Sequence, residues 1–281
     1  LAHLVYLSLP DLGSFSKVFF SLLIVNSFFT SLTAVLFFHL SLEILNSNKI
    51  ALMTSFIFLF NWVIPNVYLV GLVDASHGFF FSALLYCLLF KKLKWIPLIA
   101  ILGTANKETF LPLGSIFFFG WIATSIYYDK RLPFLEIFFL LLFVILSFFT
   151  LFLIYLYLFN FYYFPWDQMN NMGSFTSTNY DFNKSMSRLL RFFLTTGWLI
   201  FLALPYFRFI PKNILISSIL ASLTTAFLGW WISIGGVGYA RGIFSVSAFL
   251  LSISAAANLN RILFKEHIAF NIKGNKIDKT K

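Results

Sequence analysis

The chain has 281 residues and a formal net charge of +10, and it is 60% hydrophobic and 21% aromatic with only 11% charged residues. Apolar runs of about 20 residues recur, which is the length that crosses a hydrocarbon core of roughly 30 Å. The runs are continuous rather than alternating, so they exclude a transmembrane β-barrel. The basic residues lie at the ends of these runs and in the tail, where membrane topology explains them without nucleic-acid binding. The predicted fold class is all-α, a polytopic transmembrane helical bundle of about eight to ten membrane segments.

Taken in chain order, the hydrophobic segments define one membrane domain, residues 1–262, followed by a basic cytoplasmic tail, residues 263–281. The segment 95–105 is too short for a full span at 1.5 Å per residue, so we expect a half-helix or a re-entrant hairpin with the next segment. The long polar connection 160–189 is predicted to be an external loop. The predicted segments are 17–42, 50–64, 67–90 with a break near Asp74–His77, 95–105, 109–128, 133–159, 190–208, 213–232 and 242–260.

The distribution of cations predicts the orientation of the bundle. Lys and Arg concentrate in the connections 91–94, 129–132 and 208–212 and in the tail, and the positive-inside rule assigns these to the cytoplasm. We therefore expect a multi-pass protein of the cell membrane with a cytoplasmic C-terminus. In this orientation, residues 1–16 are predicted to be the end of an external loop. The chain begins with Leu and has no signal-peptide pattern, so we also expect that an N-terminal piece is missing.

With this orientation, the outer side carries acidic residues that a purely structural bundle does not need. They are Asp11, Asp74, Glu108, Asp167 and Asp181.

Asp74 stands in the stretch Val73-Asp74-Ala75-Ser76-His77-Gly78. Asp74 and His77 share a face if the segment is helical, which would suit an acid/base pair or a metal pair. Alternatively, Asp74 caps the N-terminus of the helix that follows. Two ligands without another nearby His give a metal site weak support, so no metal ligands are assigned.

The run from Gly103 to Leu113 places a Lys-Glu pair, Lys107 and Glu108, between two apolar stretches. Charges there are costly unless they face water, a partner or a ligand. Because adjacent helical positions point about 100° apart, each residue is expected to have its own partner. One interpretation is that Lys107 binds a phosphate and Glu108 orients a sugar or a side chain. The other is a helix-turn cap at the membrane surface.

Two further basic features lie on the predicted outer side. Arg241 follows the glycine-rich run Gly235–Gly238, where backbone can approach a ligand closely and an Arg can hold phosphate bidentately. The alternative is a tight turn with an Arg that reaches lipid headgroups. Lys184, Arg188 and Arg191 form one helical stripe, which suits either an anionic lipid carrier or interfacial anchoring. We expect Asp74, Lys107, Glu108 and Arg241 to line one pocket.

The order of these features resembles the GT-C superfamily of integral membrane glycosyltransferases. Two stretches carry the resemblance: a broken span with an acid, a short basic loop and a Gly-x-x-x-Lys-Glu-Thr segment, and a later Gly/Arg turn before a helix. Together they cover about half of the chain. The quoted residues are Pro65, Asp74, Lys91-Lys92, Gly103, Asn106-Lys107-Glu108-Thr109, Leu111-Pro112-Leu113 and Gly238-Tyr239-Ala240-Arg241-Gly242.

This resemblance implies sugar transfer from a polyprenyl-phosphate carrier to an extracytoplasmic glycan, lipid or protein acceptor. The candidate catalytic residues are Asp11 and Asp74, although nothing in the sequence marks Asp11 as the acid of this family, and the candidate donor-binding residues are Lys107, Glu108, Arg241 and Arg188. A membrane lipid is the expected partner and nucleic acid is not. No cofactor is assigned, and a divalent metal stays open. In this family the catalytic acid usually follows the first span, so we expect the chain to be a truncated and catalytically silent member.

Two other classes of protein stay open at this point. One is a transporter or flippase of lipid-linked sugars. The other is a non-catalytic membrane subunit or an O-antigen polymerase-like protein.

Overall fold

A computed structural model describes most of the chain. The described residues are 1–10, 16–61, 63–69, 74–130, 132–159, 190, 196–232 and 238–264.

All secondary structure in this described part is helical, which confirms the all-α fold class. Three irregular pieces accompany the α-helices: a π-helix at Ile64–Tyr68 and 3-10 helices at Leu93–Trp95 and Leu204–Phe209. The α-helices are α1 (Ala2–Ser8), α2 (Lys17–Leu45), α3 (Asn48–Leu59), α4 (Asp74–Leu89), α5 (Ile96–Asn106), α6 (Phe110–Asp129), α7 (Phe134–Phe159), α8 (Trp198–Ala203), α9 (Lys212–Ile232) and α10 (Gly238–Phe264).

The described residues contain five helices that are long and apolar enough to cross a membrane. Three shorter apolar helices accompany them. Chain composition and helix length therefore define a multi-pass helical membrane protein. The long helices span Lys17–Leu45, Asn48–Asn66, Phe110–Tyr128, Phe134–Tyr157 and Ile243–Phe264, and the short ones Asp74–Leu89, Leu93–Asn106 and Trp198–Phe209.

Helix α10 forms the centre of the bundle, and α7 lies at its edge. In the most apolar stretch of α10, 89% of the residues are buried, whereas only 11% are buried in that of α7. The sequence of α10 is rich in Ser and Ala, and small side chains let neighbouring helices approach closely in membranes. Its Phe244 stacks on Phe58 of α3, and its Phe249 contacts Phe37 of α2.

The bundle has two chemically different ends. We name them the Asp74 end, after the first residue of α4, and the Lys91 end, after a residue just past the end of α4. Contacts between helices fix the assignment. Lys91 pairs with Glu136 at the start of α7, and Asn213 at the start of α9 donates to Ser125 near the end of α6. Lys49 lies 3.0 Å from the ring centroid of Phe264, the last residue of α10.

Four charged residues used to predict the orientation lie where expected, whereas Asp167 and Arg131 lie outside the described residues. Asp74 and Glu108 lie at one end of the bundle, and Lys92 and Lys212 lie at the other. The predicted external loop 160–189 lies outside the described residues. Most of the predicted tail does too, although α10 continues to Phe264, two residues past the predicted domain boundary.

Three segments differ from the prediction. Residues 2–8, read as part of an external loop, form helix α1, and its Tyr6 ring lies 4.8 Å from Lys17 Nζ. The described part of the predicted span 190–208 is a short helix followed by a 3-10 helix, because Pro205 removes a backbone donor. The predicted segment 67–90 was expected to break near Asp74–His77, but α4 runs without interruption from Asp74, after the π-helix that contains Pro65.

Candidate functional site

The strongest polar interaction at the Asp74 end joins two charged residues that are 33 positions apart in the chain. Lys107 Nζ donates to Asp74 Oδ1 at 2.7 Å. The Asp74 side chain is 1% exposed, and that of Lys107 is 19% exposed. A buried carboxylate with an ammonium partner is far less costly than one without, so each residue makes the position of the other tolerable. Lys107 still reaches the surface of the bundle and keeps donors that Asp74 Oδ1 does not use.

Two further contacts run beside this ion pair and join the same two segments. Ser76 Oγ donates to Asn106 Oδ1 at 2.6 Å. The His77 ring packs edge-on against Phe110, with the centroids 6.0 Å apart. The start of α4 is therefore attached to the turn between α5 and α6 by an ion pair, a hydrogen bond and a ring contact. We call this set of three contacts the α4 clip.

Gly103 allows the end of α5 to pack closely against Phe110 at the start of α6. A Cβ added at Gly103 would lie 2.3 Å from the Phe110 ring, so only glycine leaves room for that ring. The backbone N–H of Lys107 donates to Gly103 O at 3.1 Å, and that of Phe110 donates to Lys107 O at 2.9 Å. Phe110 is fully buried among Phe81, His77 and Phe143. The turn that carries Lys107 and Glu108 is thus anchored by a buried ring.

Glu108 differs from Asp74 in its surroundings. It lies in the turn between α5 and α6 and is exposed. Tyr155, near the end of α7, is close enough to Glu108 to interact electrostatically with it. Glu108 is therefore a carboxylate at the surface of the site, one residue away from the partly buried ammonium of Lys107.

The start of α10 lies level with the α4 clip. The Tyr68 hydroxyl donates to Ser245 Oγ at 3.1 Å and lies 2.6 Å from where a Cβ at Gly78 would be. Asp74 precedes Gly78 by four residues, and Arg241 precedes Ser245 by four. Both helices run away from the Asp74 end, so the backbones of Asp74 and Arg241 are at the same level, about 6 Å beyond Tyr68. The side chain of Arg241 lies outside the described part.

Helix lengths show that the site is recessed. The 16 residues of α4 extend about 24 Å from the Lys91 end, whereas the 26 residues of α7 extend about 39 Å from the same end. The ion pair therefore lies below the far end of α7. A charge pair among apolar helices is costly, and in membrane proteins such pairs commonly mark a functional site.

An open apolar groove of about 460 Å³ lies between α1 and the first half of α2. Phe29 of α2 contacts Phe79 and Phe80 of α4, so the groove lies close to the level of the clip. Its chemistry suits hydrocarbon. The lining residues are Leu1, Leu4, Val5, Ser8, Leu9, Ile24, Val25 and Phe28.

The structure thus brings together two of the predicted site residues, Asp74 and Lys107, and places Glu108 beside them. Asp11 and Arg188 lie outside the described residues, so their predicted roles stay predictions. The expectation that Lys107 has a partner of its own is met by Asp74. Within the described ranges, no group of three or more His, Cys, Asp or Glu side chains could hold a metal ion.

Sequence reasoning missed Ser76, Asn106 and Tyr155 as parts of the site. A signal existed for Asn106, because it adjoins Lys107, but nothing in the sequence pairs it with Ser76. Compared with protein-family models, curated proteins and solved structures, the chain has no match. The interpretation of the site therefore depends on its chemistry and geometry.

Proposed function

We propose that the protein is a membrane glycosyltransferase that moves a sugar from a polyprenyl-phosphate carrier to an extracytoplasmic acceptor. The observation that carries this proposal is the recessed Asp74–Lys107 ion pair. It holds a partly exposed ammonium at the Asp74 end, and such a cation suits the phosphate of a lipid carrier.

The chemistry fits the groups at the Asp74 end. In the proposed reaction, an acceptor hydroxyl attacks the anomeric carbon of the sugar while the bond from that carbon to the phosphate oxygen breaks. Negative charge develops on the departing polyprenyl phosphate, and a fixed cation stabilises it. Lys107 supplies that cation, and Arg241 is proposed to supply a second one from the start of α10. The apolar groove beside α2 suits the isoprenoid chain of the carrier.

The proposal includes an orientation in the cell membrane. The Asp74 end faces outwards and the C-terminus of α10 faces the cytoplasm. Cations at the Lys91 end support this orientation, since Lys91, Lys92, Lys94 and Arg208 are exposed there.

A transfer assay with a matched control tests this function. The full-length protein is reconstituted in liposomes with a polyprenyl-phosphate-linked hexose or, separately, with the nucleotide form of the same sugar, and membrane extract supplies acceptors. We expect transfer from the lipid-linked donor only. Lys107→Met should lower kcat/KM for that donor at least 10-fold, because the departing phosphate loses its cation. Lys91→Met, at the other end, should change it less than 2-fold.

Two results would contradict the proposal. Transfer from the nucleotide sugar alone would assign a different donor. Movement of the lipid-linked sugar across the bilayer without transfer would indicate a flippase.

A further inference from the structure

The described residues offer two carboxylates at the Asp74 end, Asp74 and Glu108. The other acidic residues in the described part lie at the Lys91 end: Glu43 near the end of α2, Asp129 at the end of α6 and Glu136 at the start of α7. Sugar transfer to a hydroxyl needs a base that takes the hydroxyl proton. The question is which of the two carboxylates at the Asp74 end can do so.

Asp74 is badly placed for this task. Its side chain is 1% exposed, and its Oδ1 accepts from the Lys107 ammonium at 2.7 Å. A general base must come within hydrogen-bond distance of the proton that it takes. To reach an incoming hydroxyl, Asp74 would have to leave its ammonium partner and its enclosed position at the start of α4. That movement would also leave the Lys107 charge uncompensated.

Glu108 has the opposite properties. It is exposed, and it stands in a turn whose backbone is held by hydrogen bonds from Phe110 N to Lys107 O and from Leu111 N to Glu108 O, at 2.9 and 3.3 Å. Its Cα is about 3.8 Å from that of Lys107, so a base and a phosphate-binding cation would sit on one anchored turn. The α4 clip fixes this turn against α4 through Asp74 and Asn106.

We propose that Glu108, and not Asp74, accepts the proton of the acceptor hydroxyl, and that Asp74 is a positioning residue that holds Lys107. This assignment rests on the proposed function. As the hydroxyl oxygen forms its bond to the anomeric carbon, its proton passes to the Glu108 carboxylate. The bond between the anomeric carbon and the phosphate oxygen breaks, and its electron pair leaves with the polyprenyl phosphate. The products are the glycosylated acceptor and polyprenyl phosphate, and Glu108 later releases its proton to water.

The test compares Glu108→Gln and Glu108→Asp with Glu43→Gln, which neutralises an exposed carboxylate at the other end. In the liposome assay, Glu108→Gln should lower kcat by roughly 10²–10⁴-fold, the usual range for loss of a general base. Its KM for the lipid-linked donor and its binding of farnesyl phosphate should stay within about 3-fold of wild type. Glu108→Asp should recover part of the lost rate, because it restores a carboxylate. Glu43→Gln should retain the wild-type rate.

The outcomes separate this inference from the proposed function. A Glu108→Gln protein that keeps at least a third of the wild-type kcat would overturn the assignment of Glu108 while sugar transfer stands, and Asp11, Asp167 and Asp181 would be substituted next. A loss of farnesyl phosphate binding with unchanged kcat would also overturn it, because Glu108 would then bind the donor. Wild-type protein without transfer from any lipid-linked sugar would contradict both proposals. If Glu108→Gln does not fold, Glu108→Asp decides, since an unchanged kcat would overturn the assignment.

Discussion

At the scale of single residues, the Asp74–Lys107 pair combines two roles that usually conflict. Its burial makes it part of the fold, and the partial exposure of Lys107 leaves the ammonium accessible to an anion. A purely structural ion pair would gain nothing from that exposure. The structural role and the anion-binding role can be separated by exchanging Asp74 and Lys107. The exchange keeps an ion pair but moves its cation to the enclosed position 74.

We predict that Asp74→Asn and Lys107→Met each lower the thermal stability of the protein in detergent, since breaking a buried pair costs about 3–5 kcal/mol. The exchanged double variant, Asp74→Lys with Lys107→Asp, should recover at least half of that stability but not sugar transfer. Glu136→Gln, at the Lys91–Glu136 pair whose lysine is 63% exposed, should lower stability by less than either of those single variants, because water screens that pair. Transfer restored to the wild-type rate by the exchange would show that the position of Lys107 carries no function.

The residues of the clip also show what the sequence could and could not predict. Asp74 and Lys107 stand out because each interrupts an apolar run, and this is visible in the sequence alone. Their contact was not predictable, because it depends on how α4 packs against α5. The interaction of Glu108 with Tyr155 likewise depends on how α7 packs, because Tyr155 lies 47 positions after Glu108 in the chain.

At the scale of helices and turns, Gly103 controls the geometry of the site. The Phe110 ring occupies the space that a side chain at Gly103 would need, and Phe80, Phe81 and Phe143 surround that ring. The ring therefore cannot move aside cheaply. Any larger residue at Gly103 must push the start of α6, and with it Lys107 and Glu108, away from α4.

We predict that Gly103→Ala destabilises the protein, although Ala normally favours a helix over Gly by about 1 kcal/mol. Overpacking a filled core costs about 1–3 kcal/mol, so the clash should at least cancel that gain. Thermal unfolding in detergent gives the readout, and sugar transfer should fall at least 3-fold. Ala105→Ser, which also adds one heavy atom but at an exposed position, should change neither. A Gly103→Ala protein that is more stable than wild type would refute this account of the turn.

Helices were predictable from the sequence where apolar runs are long and continuous. The bounds of α2, α6, α7 and α9 lie within three residues of the predicted ones. Helix α5 was also expected to be too short for a full span, and its 11 residues rise only about 16 Å. The failures have physical causes. Helix α1 has seven residues and carries no span-length signal, and Pro205 breaks the regular helix that hydropathy alone suggests over 190–208.

At the scale of the whole molecule, the account depends on the polarity of the bundle. Helix α10 runs through the centre from the Asp74 end, and the surrounding helices place exposed cations at the opposite end. The α4 clip is recessed at the Asp74 end, where a lipid phosphate on the outer side of the membrane would reach it. The central claim is therefore that this end faces outwards and binds the phosphate of a lipid carrier.

Site-directed labelling tests both parts of that claim at once. Thr109→Cys places a thiol beside Lys107 and Glu108, and Lys130→Cys places one at the other end, both with Cys87 replaced by Ala. We predict that a membrane-impermeant maleimide labels Cys at 109 only in right-side-out vesicles and Cys at 130 only in inside-out vesicles. Farnesyl phosphate, but not farnesol, should slow labelling at 109 at least 5-fold and leave labelling at 130 unchanged. Labelling of 109 from the cytoplasmic side, or equal rates with and without farnesyl phosphate, would contradict the account.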